Sequence, residues 1–108
     1  NDNGKTWQPW QATNLLNPNA ATDAIRLNNG KFMIVYNPDL AGKDWWEGRT
    51  KLRVALSKDG LNWKDALILE DGKKGDEYSY PTIIQDDDGL IHITYTWNRK
   101  NIKHIVLK

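Results

Sequence analysis

The residues best suited to chemistry are an arginine and a tyrosine, Arg49 and Tyr78, each placed just before an apolar segment. A guanidinium offers a planar fork of donors that matches a carboxylate, which the point charge of a lysine does not reproduce. A phenol is scarcely ionised at neutral pH, since its unperturbed pKa is about 10, so a nucleophilic tyrosine needs a neighbouring base. Glu77 would point to the opposite side of an extended chain from Tyr78 and is a poor choice for that base.

Other residues could complete a binding site around this pair. Trp45 and Trp46 could stack on a ring-shaped ligand such as a sugar, although packing of their loop onto the sheet is equally compatible with the sequence. Asn19 and Asp23 stand before or at the start of an apolar strand, and they could line a pocket there.

Structural roles remain open for both central residues. Arg49 could pair with Glu47 or Asp44 inside its own loop. Tyr78 could form part of a pocket wall, with its hydroxyl satisfied by a carbonyl oxygen.

Composition excludes several classes of function. The 108 residues carry a formal charge of +1, which gives no reason to expect a nucleic-acid partner, and they contain no apolar run long enough to suggest a membrane span. There is no cysteine, so disulfides and thiol chemistry are excluded. The two histidines, His92 and His104, are far apart and give no metal-ligand pattern. We therefore expect no metal and no cofactor.

An internal repeat is the strongest signal of fold. The segment 25–36, IRLNNGKFMIVY, aligns with 84–95, IQDDDGLIHITY, at a constant offset, and each copy has the pattern strand, glycine turn, strand. No segment has helical periodicity. Strands are predicted at about 22–28, 31–37, 50–57, 63–70, 80–86, 90–97 and 101–108.

These strands predict an all-β fold made of four-stranded antiparallel meanders, and a radial array of such sheets is a β-propeller. The chain is expected to form a propeller fragment of about two blades. Residues 1–16 would contain an outer strand of a preceding blade, at about 8–16. Residues 17–70 would form a complete blade, and residues 71–108 would supply three strands of the last one.

The same topology separates the loops by face. In a meander, the first-to-second and third-to-fourth turns lie on one side, where the short glycine turns fall. The second-to-third loops and the connections between blades lie on the other. The long, polar and aromatic loops 12–20, 38–49, 71–79 and 96–101 therefore share one face, and Arg49 and Tyr78 are expected there.

The turn SKDGLNW, residues 57–63, and its relative DNGKTW, residues 2–7, provide a further motif. Both resemble the Asp-box, Ser-x-Asp-x-Gly-x-Thr-Trp, of the sialidase-like (BNR-repeat) six-bladed propellers. The resemblance implies a structural role, on the face away from the active site, for Asp2, Gly4, Trp7, Ser57, Asp59, Gly60 and Trp63.

The resemblance extends over nearly the whole chain and looks like the C-terminal portion of such a propeller. It implies that Arg49 matches the last of three arginines that bind the carboxylate of sialic acid, and that Tyr78 matches the nucleophile of a Tyr-Ser motif. Sialidases commonly have a glutamate where this chain has Thr96, which puts true sialic acid hydrolysis in question.

The function implied is that of a retaining exo-glycosidase for terminal acidic sugars of glycans. Two alternatives stay open, namely a non-catalytic glycan-binding or scaffold propeller and a hydrolase or lyase for uronic-type sugars. The fragment by itself is expected to be inactive, with its base upstream of residue 1. Its expected partners are a glycan and the remaining blades or other copies of the chain. A secreted or periplasmic location follows from the resemblance only.

Overall fold

The computed structural model describes residues 12–18, 20–40 and 47–108. These residues form seven β-strands and no helix, so they include no helix able to cross a membrane. The strands are β1 (Asp23–Arg26), β2 (Phe32–Tyr36), β3 (Lys51–Ser57), β4 (Lys64–Asp71), β5 (Tyr78–Gln85), β6 (Ile91–Trp97) and β7 (Asn101–Leu107).

The strands form two antiparallel meanders, one with the order β1-β2-β3-β4 and one with the order β5-β6-β7. The equivalent hairpins of the two sheets close in the same way. Gly30 donates its backbone N–H to Leu27 (2.9 Å), and Gly89 donates to Asp86 (3.0 Å). The predicted all-β fold and meander topology are confirmed.

Two strand boundaries differ from the prediction. Residues 12–16, the described part of the predicted outer strand 8–16, form no strand. Strand β5 begins at Tyr78 rather than near residue 80, and its pairing with β6 shifts between Ser79 and Thr82. The cause is Pro81, which has no N–H for the ladder, together with Tyr80, whose φ of 53° places it in the left-handed region.

The core lies between the two sheets. It is built from the alternate side chains of β2, β3, β5 and β6 that face inward, such as Val35, Val54, Ile83 and Ile93. Burial of this apolar surface drives the face-to-face packing. The contact aligns the strand ends, so that Asn37, the 47–50 segment and the 72–77 connection lie at the same end of the sheets.

The outward face of the second sheet carries exposed apolar side chains, among them Ile84, Ile102 and Val106. Isolated apolar side chains are normal on protein surfaces, but a sheet face that presents several of them suits contact with another sheet. The association of this chain with further blades or other copies stays a prediction.

Candidate functional site

The structure brings Arg49 and Tyr78 together. The backbone N–H of Tyr78 donates to the carbonyl oxygen of Arg49 at 2.8 Å, just before β3 and at the start of β5. A second bond, from the Gly72 N–H to the Thr50 carbonyl at 2.8 Å, holds the end of β4 to the same segment. The two long connections are thus joined through the backbone at one end of the sheets.

Asn37 fixes this junction from within. It is completely buried, and its side-chain Nδ2 donates to the carbonyl oxygens of Lys51 (2.7 Å) and Tyr78 (2.9 Å). Its Oδ1 has no hydrogen-bond partner among the described residues. One amide therefore connects the end of β2 to the starts of β3 and β5. Sequence reasoning did not name Asn37 as a site residue, although a polar residue at the end of the apolar run FMIVY was a possible signal.

The ring of Tyr78 lies against the core. Tyr78 is only 5% exposed. Its ring meets the ring of Tyr95 edge to face, with the ring centroids 6.4 Å apart. Burial raises the pKa of the Tyr78 hydroxyl, and the negative charges of Asp76 and Glu70 raise it further. The phenol is therefore neutral in this arrangement and needs a base to become a nucleophile.

Two of the carboxylates near Tyr78, those of Glu70 and Glu77, already have partners. Glu70 accepts hydrogen bonds from the Tyr95 hydroxyl and from Lys103 Nζ, the latter at 2.9 Å. Burial of the Tyr95 hydroxyl and its hydrogen bond to Glu70 raise the pKa of Tyr95. Glu77 lies 3.3 Å from Arg99 Nε. These bonds keep both carboxylates occupied, so neither is poised to take the Tyr78 proton.

A cleft of 350 Å³ lies between the 47–50 and 74–76 segments, lined by Glu47, Gly48, Thr50, Lys74, Gly75 and Asp76, and neither Arg49 nor Tyr78 is among the lining residues. Gly48 permits the 47–50 segment to approach Pro18, because a Cβ at position 48 would lie 2.5 Å from the Cβ of Pro18. Its φ of 86° also favours glycine. The lining is polar and carries both signs of charge, which suits a small polar ligand.

Asp23, a predicted pocket residue, bonds to the backbone instead. One carboxylate oxygen accepts the N–H of Ile83 at 2.9 Å, and the other accepts the N–H of Ala24 at 3.1 Å.

Several predicted site residues lie outside the part of the chain that the structure describes. These are the predicted ligand-binding residues Asn19, Trp45 and Trp46, and the residues of the 2–7 motif, Asp2, Gly4 and Trp7.

The 57–63 turn lies at the opposite end of the sheets and satisfies its own polar groups. Ser57 Oγ donates to Asp59 Oδ1 (2.9 Å) and accepts the N–H of Gly60 (2.8 Å). Asp59 Oδ1 also accepts the N–H groups of Leu61 and Asn62, both at 2.9 Å. These backbone bonds lower the pKa of Asp59.

The tryptophan of this turn, Trp63, stabilises the turn through hydrogen bonds of its side chain and backbone. Trp63 Nε1 donates to the carbonyl of Gly60 at 3.0 Å, while its backbone N–H and carbonyl both bond to the side chain of Asn14, at 2.8 and 2.9 Å. The motif thus joins a β3–β4 turn to the segment that precedes the first sheet.

A cluster of polar side chains, Tyr36, Arg53 and Asp65, lies on the face of the first sheet that points away from the second sheet. Asp65 accepts from the Tyr36 hydroxyl at 2.5 Å and pairs with Arg53 Nη1 at 3.0 Å. Burial and Asp65 raise the pKa of Tyr36. The cluster borders a cavity of 230 Å³ that Asn14, Leu16 and Trp63 also line. Sequence reasoning missed it, because the pairing depends on cross-strand register.

Consecutive antiparallel meanders that pack face to face, with long connections at one end and short turns at the other, are the arrangement of neighbouring blades in a β-propeller. The family model for the BNR repeat-like domain matches residues 1–93. The chain therefore belongs to the BNR repeat-like family, consistent with the sialidase-like repeat proteins that it resembles. Comparison with curated proteins and with solved structures gives no match.

Proposed function

We propose that the end of the molecule where Arg49 and Tyr78 meet recognises a terminal acidic sugar of a glycan, with Arg49 binding the carboxylate of the sugar. The observation that carries the proposal is the 2.8 Å hydrogen bond from the Tyr78 N–H to the Arg49 carbonyl. This bond holds the backbones of Arg49 and Tyr78 together, and the chain neighbours of Arg49, Gly48 and Thr50, line the 350 Å³ cleft. A guanidinium recognises a carboxylate through two parallel charge-assisted bonds.

The catalytic form of this proposal is a retaining exo-glycosidase in which Tyr78 is the nucleophile. A base takes the hydroxyl proton, Tyr78 Oη bonds to the anomeric carbon as the bond to the leaving group breaks, and water then hydrolyses the glycosyl-enzyme. A neutral phenol suits a sugar with an adjacent carboxylate, since a carboxylate nucleophile would be repelled by it. Membership of the BNR repeat-like family supports this form.

A second candidate is a module that binds an acidic glycan without cleaving it. The observation that favours it is the burial of Tyr78, which is 5% exposed and has a raised pKa. A buried neutral phenol positions a loop well but attacks poorly. Cleavage of a uronic-type sugar by a different reaction stays a third possibility, because Arg49 would bind any such carboxylate.

An NMR titration tests the shared claim of carboxylate recognition. We expect N-acetylneuraminic acid or glucuronic acid to shift amide signals of residues 47–50 and 72–78, whereas neutral galactose should not. Arg49→Lys should weaken binding about tenfold or more, since lysine lacks the planar fork. Arg26→Lys is the matched control, because Arg26 lies at the other end of its sheet, over the ring of Phe32. Equal binding of neutral and acidic sugars would contradict the proposal.

Turnover of an aryl sialoside by a complete propeller that contains this chain separates the two main candidates, because the chain by itself is expected to be inactive. In the catalytic form, Tyr78→Phe abolishes release of the aryl group and leaves binding measurable, while Tyr80→Phe, at an exposed tyrosine two residues away, has wild-type activity. Binding without turnover by the wild type would favour the binding module. Turnover of an aryl glucuronide alone would favour the third possibility.

A further inference from the structure

The two histidines are in contact, although they are far apart in sequence. His92 lies on β6 opposite Val106, and His104 lies on β7 opposite Thr94, so the pair is diagonal on the outward face of the second sheet. His92 Nδ1 is 3.0 Å from His104 Nε2, and the rings are inclined by only 18°, with centroids 5.2 Å apart. The two nitrogens therefore face each other across one hydrogen bond.

Asp86 holds the other side of the His92 ring. Its Oδ2 is 2.7 Å from His92 Nε2, while its Oδ1 accepts the backbone N–H groups of Asp88 and Leu90, both at 2.9 Å. The turn thus fixes the carboxylate against the His92 ring.

This network selects the tautomers. With Asp86 Oδ2 as the acceptor and His92 Nε2 as the donor, the tautomer of His92 that fits this contact has a lone pair on Nδ1 directed at His104. In turn, His104 Nε2 donates the proton of the 3.0 Å bond. A carboxylate behind a histidine is the arrangement that orients imidazole ligands in metal sites and raises their basicity.

We propose that His92 Nδ1 and His104 Nε2 bind a divalent transition-metal ion such as Zn²⁺ or Ni²⁺, with Asp86 as the residue that orients His92. Two nitrogens on a tetrahedral zinc at about 2.0–2.1 Å stand about 3.3 Å apart, so the 3.0 Å spacing must widen slightly and each ring must turn by about 35° for both lone pairs to meet the ion. The proton of His104 moves through solvent from Nε2 to Nδ1 as the ion takes its place.

Water fills the other coordination positions. Among the described residues, no group of three or more histidine, cysteine, aspartate or glutamate side chains is placed to hold an ion together. His104 is exposed in this chain, so an ion reaches it from solvent when no further sheet covers the outward face. Imidazole nitrogens suit zinc, nickel and copper rather than calcium or magnesium, whose preferred ligands are oxygens.

Calorimetric titration of the chain with ZnCl₂ and NiCl₂ tests the site. We expect one ion per chain for the wild type, and a loss of affinity of about tenfold or more for His92→Ala and for His104→Ala. Asp86→Asn should weaken binding by about 10–100-fold, because the amide no longer holds the proton on His92 Nε2. Asp87→Asn, one residue along the same turn, is the matched control and should bind as the wild type does.

Imidazole ¹⁵N chemical shifts give a second test that needs no substitution. Zinc should move the signals of His92 Nδ1 and His104 Nε2, and leave His92 Nε2 protonated against Asp86. Calcium and magnesium should have no effect at equal concentration. The proposal is overturned if zinc leaves both rings unchanged, or if His104→Ala binds zinc as tightly as the wild type.

Discussion

Asp23 and Ile83 connect the first strands of the two sheets, since the carboxylate of Asp23 accepts the backbone N–H of Ile83 at 2.9 Å. Ile83 is only 1% exposed, so its N–H has no ready access to water. A donor that is buried without a partner costs about 1–3 kcal/mol. The sequence placed Asp23 in a pocket, whereas this contact gives it a role in holding β1 against β5.

Removal of this carboxylate should therefore destabilise the fold. We expect Asp23→Ala to lower the free energy of unfolding by about 1–3 kcal/mol in urea titrations. Asp23→Asn keeps an acceptor oxygen and should lose less, and Asp87→Ala, at an exposed turn position, should be close to neutral. If Asp23→Ala and Asp87→Ala unfold at the same urea concentration, the contact contributes nothing.

Asn37 gives a second stability prediction, tied to the candidate site. Asn37→Ala removes the donor that serves the carbonyl oxygens of Lys51 and Tyr78, and it leaves a gap in a fully buried position. We expect a loss of about 2–3 kcal/mol. Hydrogen exchange should also speed up at the N–H of Tyr78, whose bond to Arg49 the amide supports.

The control is Asn101→Ala, the same change at an exposed residue at the start of β7. It should change the unfolding free energy little and leave exchange at Tyr78 as it was. Accelerated exchange in both variants, or in neither, would show that Asn37 does not hold the junction.

Ser57 gives a third prediction, at the opposite end of the sheets. The residue is 4% exposed, and its hydroxyl serves the backbone N–H of Gly60 and the carboxylate of Asp59. Ser57→Ala should cost about 1–3 kcal/mol, because alanine cannot replace either bond. Lys58→Ala, at the exposed neighbouring position, provides the comparison in thermal unfolding. A Tm equal to that of the wild type for Ser57→Ala would contradict a structural role for this turn.

The strand pattern was readable from the sequence because it depends on local signals. Alternating apolar residues and the Asn-Asn-Gly and Asp-Asp-Gly triplets place the hairpins correctly, and a four-stranded meander then determines which loops share an end. This reasoning brought Arg49 and Tyr78 to the same end of the sheets, where their backbones are hydrogen-bonded. It needed no knowledge of individual side-chain contacts.

The side-chain contacts could not be predicted from the sequence, because they depend on strand register and on burial. The predicted strands 90–97 and 101–108 agree with β6 and β7, but their bounds do not specify which residues pair across the hairpin, where Trp97 lies opposite Asn101. A shift of one residue moves every side chain to the other face. The contact between His92 and His104 therefore became visible only with the actual pairing. The burial of Tyr78 likewise follows from how the two sheets pack, which no local pattern specifies.

The pH dependence of stability gives the fourth prediction. Hydrogen bonds from the backbone of Asn62 and Leu61 hold the pKa of Asp59 below its ordinary value of 3.8, so the folded state binds fewer protons there than the unfolded chain does. Lowering the pH through about 4 therefore favours the unfolded state, while above that range this contribution to stability is fully present.

Unfolding midpoints in urea measured from pH 6 down to pH 2 test this prediction. Asp59→Asn should lose less stability than the wild type over this range. Some dependence of the unfolding midpoint on pH should remain in Asp59→Asn, because the pKa of Asp86 is also lowered, chiefly by its hydrogen bond to His92. The double variant with Asp86→Asn should therefore show a still weaker dependence. Asp87→Asn should follow the wild-type curve. Parallel curves for Asp59→Asn and the wild type would mean that the turn does not depend on an ionised Asp59.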